Sequence, residues 1–120
     1  LFCSTPAVAL SRNVGPKRAF DMLATGRFVS ADEALQIGLL SRVASSEMLD
    51  TVLDEMTAAI EAKSRRAIRL GKAMFQRQRA LPVAEAYELA GAAMAENMMF
   101  PDAVEGIDAF LQKRTPTFRE

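Results

Sequence analysis

Apolar residues return every three or four positions along most of this chain, which is the spacing of one face of an α-helix. The clearest example follows Ser46, which is placed to cap a longer helix. Five apolar residues then fall on one stripe: Leu49, Val52, Leu53, Met56 and Ile60. The pattern predicts a mainly α chain of about seven helices, and nothing in it indicates a repeat.

Glycine and proline mark where several of these helices begin and end. Pro16 can open a helix that Gly26 terminates, because proline suits the first helical turn and glycine suits the residue after the last one. Ser30 and Glu33 have the spacing of a capping box, and Gly38 is placed to end that short helix. These signals predict two helices with defined ends in the first third of the chain.

The remaining boundaries rest on similar signals. Thr5 followed by Pro6 predicts an N-cap and a first helix that runs through Leu10. A long alanine-rich helix is predicted over residues 82–100, and its small side chains would let another helix pack closely. Pro101 then opens the last helix.

Residues 39–43, with the sequence LLSRV, are the one candidate for a β-strand. A single strand cannot form a sheet alone. If these residues form a strand, its partner lies elsewhere, and we expect the apolar side chains of this segment to pack against other protein.

The segment EGIDAFLQKR, residues 105–114, is predicted to be helical although it contains a glycine. A mid-helix glycine costs about 1 kcal/mol relative to alanine, so it suggests that something approaches the backbone closely. Gly106, Phe110 and Lys113 would then form a notch, an aromatic face and a cation, beside a stripe of Val104, Ile107 and Leu111. That surface suits a flat ring attached to a phosphate. Alternatively, Phe110 is core, Lys113 is a solvated surface residue and Gly106 is a close helix contact.

Composition narrows the chemistry. Half of the 120 residues are hydrophobic, and fifteen basic residues balance fifteen acidic ones. This balance gives no indication of a nucleic-acid or membrane surface, so neither partner is expected. The chain has no histidine and a single cysteine, Cys3. The commonest general base and the commonest metal ligand are therefore missing, so we predict no metal site and no Ser-His or Cys-His nucleophile among these 120 residues.

Two segments resemble the crotonase, or enoyl-CoA hydratase/isomerase, superfamily. EGIDAFLQKRTPTF, residues 105–118, is similar to the C-terminal signature of that family. MLATGRFVSADEALQIGLLSRV, residues 22–43, is similar to an internal segment of the same family. The spacing between the two segments also fits, so the resemblance covers essentially the whole chain.

The resemblance implies the C-terminal helical region of an α/β crotonase fold. Residues 1–45 would be the end of the crotonase core, and residues 46–120 would be a helical region of the trimerisation type. The family binds acyl-CoA thioesters as substrates and needs no cofactor. Phe110 and Lys113 match the family residues that approach the adenine and the phosphate of CoA, and the helices would pack into a trimer or a pair of trimers. The family implies a cytoplasmic protein, or a mitochondrial one in a eukaryote.

The catalytic glutamates and the oxyanion hole of the family are expected to lie before this sequence, so the 120 residues alone should be inactive. Where typical hydratases have a glycine-rich stretch, this chain has CSTPA, residues 3–7. Cys3 and Ser4 would either line an acyl pocket or have a purely structural role. The alternative function is a helical interaction module, or a truncated family member, without activity.

Overall fold

A computed structural model describes residues 2–118, and these residues contain seven α-helices joined by short turns. The mainly α prediction and the number of helices are confirmed. The helices are α1 (Ser4–Leu10), α2 (Pro16–Thr25), α3 (Ala31–Gln36), α4 (Leu49–Glu61), α5 (Arg65–Gln78), α6 (Val83–Met98) and α7 (Pro101–Leu111). The chain divides into two compact units, Leu1–Val52 and Leu53–Glu120.

The predicted strand over residues 39–43 is wrong, since none of the described residues adopts strand structure. The amides of Leu39 and Leu40 instead both donate to the carbonyl of Ala34, at 2.9 and 3.1 Å. These bonds fold the segment back onto the end of α3. A strand needs hydrogen bonds from a neighbouring strand. Where these are missing, the backbone amides of a short apolar segment donate to the free carbonyl groups at the end of the nearest helix.

In the first unit, the glycine and proline signals are confirmed. Pro16 is the first residue of α2, and Gly26 follows that helix in the left-handed conformation with φ of 63°. The Ser30 hydroxyl accepts the amide of Glu33 at 3.1 Å at the start of α3. Gly38 also has a positive φ, 78°, which a residue with a Cβ adopts only under strain.

Two helix starts differ from the prediction. α1 begins at Ser4, with Cys3 rather than Thr5 at its N-cap. α4 begins at Leu49 after a turn over residues 46–48, so Ser46 lies outside that helix. In both cases the capping side chain identified from sequence is not the residue at the helix boundary.

Arg27 joins α2 to α3 in the first unit. Its guanidinium donates to Asp21 at 2.8 Å and to both carboxylate oxygens of Glu33 at 2.9 and 2.6 Å. The hydrogen bonds from Arg27 hold the pKa of Glu33 below its ordinary value. The buried apolar residues of this unit are Val14, Ala19 and Ala34.

In the second unit, α5 and α6 make the main helix–helix contact of the described residues. Small residues of both helices, among them Ala67, Gly71, Ala90 and Ala93, line the space between them. A Cβ built at Gly71 of α5 or at Gly91 of α6 would meet no other atom within 4 Å, so the close helix approach that the alanine-rich pattern of α6 predicts is absent at these two positions.

Many large apolar side chains stay exposed. In α4, three members of the predicted stripe are exposed and two are half-buried, so the shared face is present but is not covered by the described residues. Helices α6 and α7 also carry exposed apolar residues, including Tyr87, Met94, Val104 and Ile107. Apolar surface of this extent usually marks contact with other protein.

Candidate functional site

The N-terminal end of α7 is fixed by a buried hydrogen bond. The Ser64 hydroxyl donates to a carboxylate oxygen of Asp102 at 2.5 Å, and the same hydroxyl accepts the amide of Ala67 at 3.1 Å. Ser64 is 5% exposed and Asp102 is 9% exposed. One serine therefore caps α5 and anchors the first turn of α7, which sets the direction in which α7 leaves this point.

The C-terminal end of α7 stops earlier than the sequence predicts. Leu111 is the last helical residue, and Lys113 has a left-handed backbone with φ of 54°. The amide of Lys113 donates to the carbonyl of Phe110 at 3.2 Å, and the amide of Arg114 donates to that of Ala109 at 3.0 Å. This pair of bonds is a Schellman motif, which ends a helix and turns the chain. Lys113 therefore does not lie on a helix face, and the prediction of a helix through residue 114 is wrong.

Glu105 holds the turned segment against α7. Its carboxylate accepts both Nη atoms of Arg114, at 2.6 and 2.8 Å, and the backbone amide of Thr117 at 2.6 Å. The hydrogen bonds with Glu105 raise the pKa of Arg114 above its ordinary value. Neither Glu105 nor Arg114 was predicted from the residue pattern to have a role.

The turned segment lies beside Gly106 of α7. A Cβ built at Gly106 would come within 3.8 Å of the Phe118 ring. The space beside Gly106 is therefore partly filled by the chain itself, at a distance of ordinary van der Waals contact that an alanine would also tolerate.

Phe110 and Lys113 both lie on the surface at the C-terminal end of α7. Phe110 is 81% exposed, so it is not a core residue among the described residues. Lys113 is also exposed and directly follows the last turn. Phe110 and Lys113 are joined through one backbone hydrogen bond. An exposed aromatic face and a nearby ammonium group can bind a planar ring that carries a phosphate.

A surface pocket of about 490 Å³ lies beside α7 but includes neither Phe110 nor Lys113. Its lining is rich in carboxylates, which do not favour a phosphate. The lining residues are Pro101, Asp102, Val104, Glu105, Asp108, Arg114 and Thr117. The residues that the sequence indicates for CoA therefore lie on an exposed edge rather than in this pocket.

Comparison with known proteins decides the family. The model of the enoyl-CoA hydratase/isomerase family matches residues 3–120. The chain belongs to the enoyl-CoA hydratase/isomerase family. Enoyl-CoA hydratase domain-containing protein 3, a mitochondrial protein, is similar to it in rat (47% identity) and in zebrafish (48% identity). Each alignment covers 98% of this chain but only 39% and 41% of the relative, so the chain spans about two fifths of these family members.

Solved structures of family members have the same helical arrangement. An enoyl-CoA hydratase from Mycobacterium smegmatis aligns with a TM-score of 0.94 at 54% identity, over 98% of this chain and 46% of that one. Human enoyl Coenzyme A hydratase domain-containing protein 3 aligns with a TM-score of 0.90 at 46% identity, over 98% and 47% of the two chains. The predicted resemblance to the crotonase family is confirmed, and the seven helices correspond to part of a crotonase-fold protein.

Among residues 2–118, none of the helices combines the length and the apolar character that a bilayer-crossing segment needs. Cys3 and Ser4, which the sequence left as either pocket or structural residues, lie at the exposed start of α1. A role for Cys3 and Ser4 in an acyl pocket, or in the structure alone, stays a prediction.

Proposed function

We propose that this chain is the CoA-binding helical part of an acyl-CoA enzyme of the hydratase/isomerase class. Phe110 would stack on the adenine, and the Lys113 ammonium would meet a phosphate of the same ligand. The observation that carries the proposal is the pairing of an 81% exposed phenylalanine with a lysine at one helix end. Residues that perform the chemistry would lie outside these 120 residues, as would the oxyanion hole.

The exposed apolar faces support a second part of the proposal. Side chains of α6 and α7 such as Tyr87, Met94, Ile107 and Leu111 stay uncovered in the described residues. We propose that these faces pack against the rest of a homo-oligomer, a trimer or a pair of trimers. Such an assembly would operate in the cytoplasm or, in a eukaryotic cell, in the mitochondrial matrix.

The test is calorimetric titration of the complete gene product with an acyl-CoA and with its 3′-dephospho form. Phe110→Ala should weaken binding of both ligands by about 1 kcal/mol, roughly fivefold, because a stacked ring is lost. Lys113→Ala should weaken binding of acyl-CoA at low salt, and this loss should shrink as salt rises, because exposed charges are screened.

The dephospho ligand separates the two roles. If Lys113 meets the 3′-phosphate, Lys113→Ala should have almost no effect on dephospho-acyl-CoA, whereas Phe110→Ala should weaken both ligands equally. Lys17→Ala, at an exposed position in α2, is the matched control for loss of a positive charge. Equal affinity of the wild type and Lys113→Ala for acyl-CoA at low salt would sink the assignment.

A further inference from the structure

Lys113 is held in a backbone conformation that lysine rarely adopts. Its φ of 54° places it at the position of a Schellman motif where glycine is the usual residue. In left-handed conformations the Cβ of an L-residue crowds the following carbonyl. Such a conformation persists only when the surrounding structure fixes it.

The two residues on either side of Lys113 are fixed by side-chain hydrogen bonds. Arg114 donates through Nε to the side-chain oxygen of Gln112 at 2.9 Å, while its two Nη atoms bind the Glu105 carboxylate. The same carboxylate accepts the amide of Thr117 at 2.6 Å. The chain is therefore tied to α7 both at Arg114 and at Thr117, and Lys113 is the residue at the bend.

We propose that Glu105 is a positioning residue for ligand binding: through Arg114 and Thr117 it fixes the backbone of Lys113 and so directs the ammonium group toward the CoA phosphate. This inference rests on the function proposed above. The physical gain is preorganisation, because a lysine whose backbone is already fixed loses less conformational freedom when it binds. Glu105 itself does not touch the ligand in this account.

A different role for Glu105 and Arg114 predicts the opposite change in CoA affinity when the Glu105 charge is removed. If Arg114 were the phosphate ligand, Glu105 would compete with the phosphate for its guanidinium. Removing the Glu105 charge would then release Arg114, and affinity for CoA would rise. If Glu105 positions Lys113, removing its charge lowers affinity.

The experiment is a double-variant cycle on the complete gene product, measured by calorimetry with CoA. Glu105→Gln keeps the size of the side chain and removes its charge. It should weaken CoA binding roughly threefold to tenfold, the range expected for losing the preorganisation of one long side chain. Adding Glu105→Gln to Lys113→Ala should cause no further loss. Glu88→Gln, an exposed glutamate in α6, is the control and should bind CoA like the wild type.

A second measurement reports on the backbone directly. With isotope-labelled lysine, the left-handed conformation of Lys113 gives a strong nuclear Overhauser effect between its own amide and Hα protons, because these atoms are close at positive φ. We expect that signal to weaken in Glu105→Gln and to persist in Glu88→Gln. A purely stabilising role for Glu105 would lower the melting temperature without changing this signal.

The outcomes separate this inference from the proposed function. If Lys113→Ala weakens binding and Glu105→Gln does not, the positioning role is wrong and the CoA site stands. Additive losses in the double variant, or a rise in affinity with Glu105→Gln, would also overturn the positioning role. If Lys113→Ala leaves CoA affinity unchanged, the proposed site fails and the positioning role fails with it.

Discussion

The two ends of α7 differ in what they bury and in what they leave accessible. At the N-terminal end, Asp102 and Ser64 are almost fully buried and satisfy each other. At the C-terminal end, Phe110 and Lys113 are exposed, and the polar contacts that fix the turn come from Glu105 and Arg114 beside them. One end therefore holds the helix in place, and the other leaves its side chains accessible.

The two ends of α7 should therefore respond differently to substitution. A buried polar pair costs free energy unless both partners are present, so the N-terminal end tolerates little change. Exposed side chains contribute little to stability. Substitutions at the C-terminal end can therefore alter ligand binding with little effect on the fold. The comparison leads to three predictions, ordered by the size of the expected effect.

Ser64→Ala should have the largest effect on stability. It removes the N-cap of α5, worth about 1 kcal/mol, and leaves the buried Asp102 carboxylate without its hydroxyl donor, which costs a further 1 to 3 kcal/mol or so. We expect the free energy of unfolding to fall by about 2 to 4 kcal/mol in urea denaturation of the complete gene product. Ser11→Ala, at an exposed serine in the turn after α1, should change it by less than about 0.5 kcal/mol. Equal losses in the two variants would contradict the anchoring role of Ser64.

Lys113→Gly should have a smaller effect and should raise the free energy of unfolding. Glycine adopts a positive φ without the Cβ crowding that lysine suffers, so the free energy of unfolding should rise by up to about 1 kcal/mol. The same variant should lose the salt-dependent part of acyl-CoA binding, as Lys113→Ala does. Lys113→Ala keeps the crowded Cβ and should not gain stability, so a gain in that variant would contradict strain at this position.

Phe110→Ala should have the smallest effect on stability. The ring is largely exposed, so the free energy of unfolding should change by less than about 0.5 kcal/mol, while affinity for acyl-CoA falls. The measurement is urea denaturation beside the ligand titration. A stability loss above about 1 kcal/mol would indicate that Phe110 packs against protein in the complete molecule, and it would count against a stacking role.

Much of the helical framework was predictable because its signals are local. Pro16 and Gly26 bracket α2, Ser30 caps α3, and Pro101 opens α7. Each of these residues acts on its own backbone or on a residue within one helical turn, so its effect does not depend on the rest of the fold. The family signature at residues 105–118 also indicated the membership that the comparisons confirm.

The signature indicated Phe110 and Lys113 as the proposed CoA contacts, whereas it gave no indication of the Glu105–Arg114 contact beside them. Glu105 and Arg114 are nine residues apart. On a continuous helix that separation puts two side chains on opposite faces, because each residue advances about 100°. Only the left-handed bend at Lys113 brings Arg114 back to Glu105, and nothing in the residue pattern predicts that a lysine would adopt it.

The sequence by itself therefore determined the helices, most of their ends and the family. The tertiary structure decided which residues meet. Ser64 and Asp102 are 38 residues apart in the sequence. They form a pair only because the first turn of α7 lies beside the N-cap of α5. It also decided that no strand forms at residues 39–43, because a strand requires hydrogen bonds from a neighbouring strand and a helix end requires only its own turn.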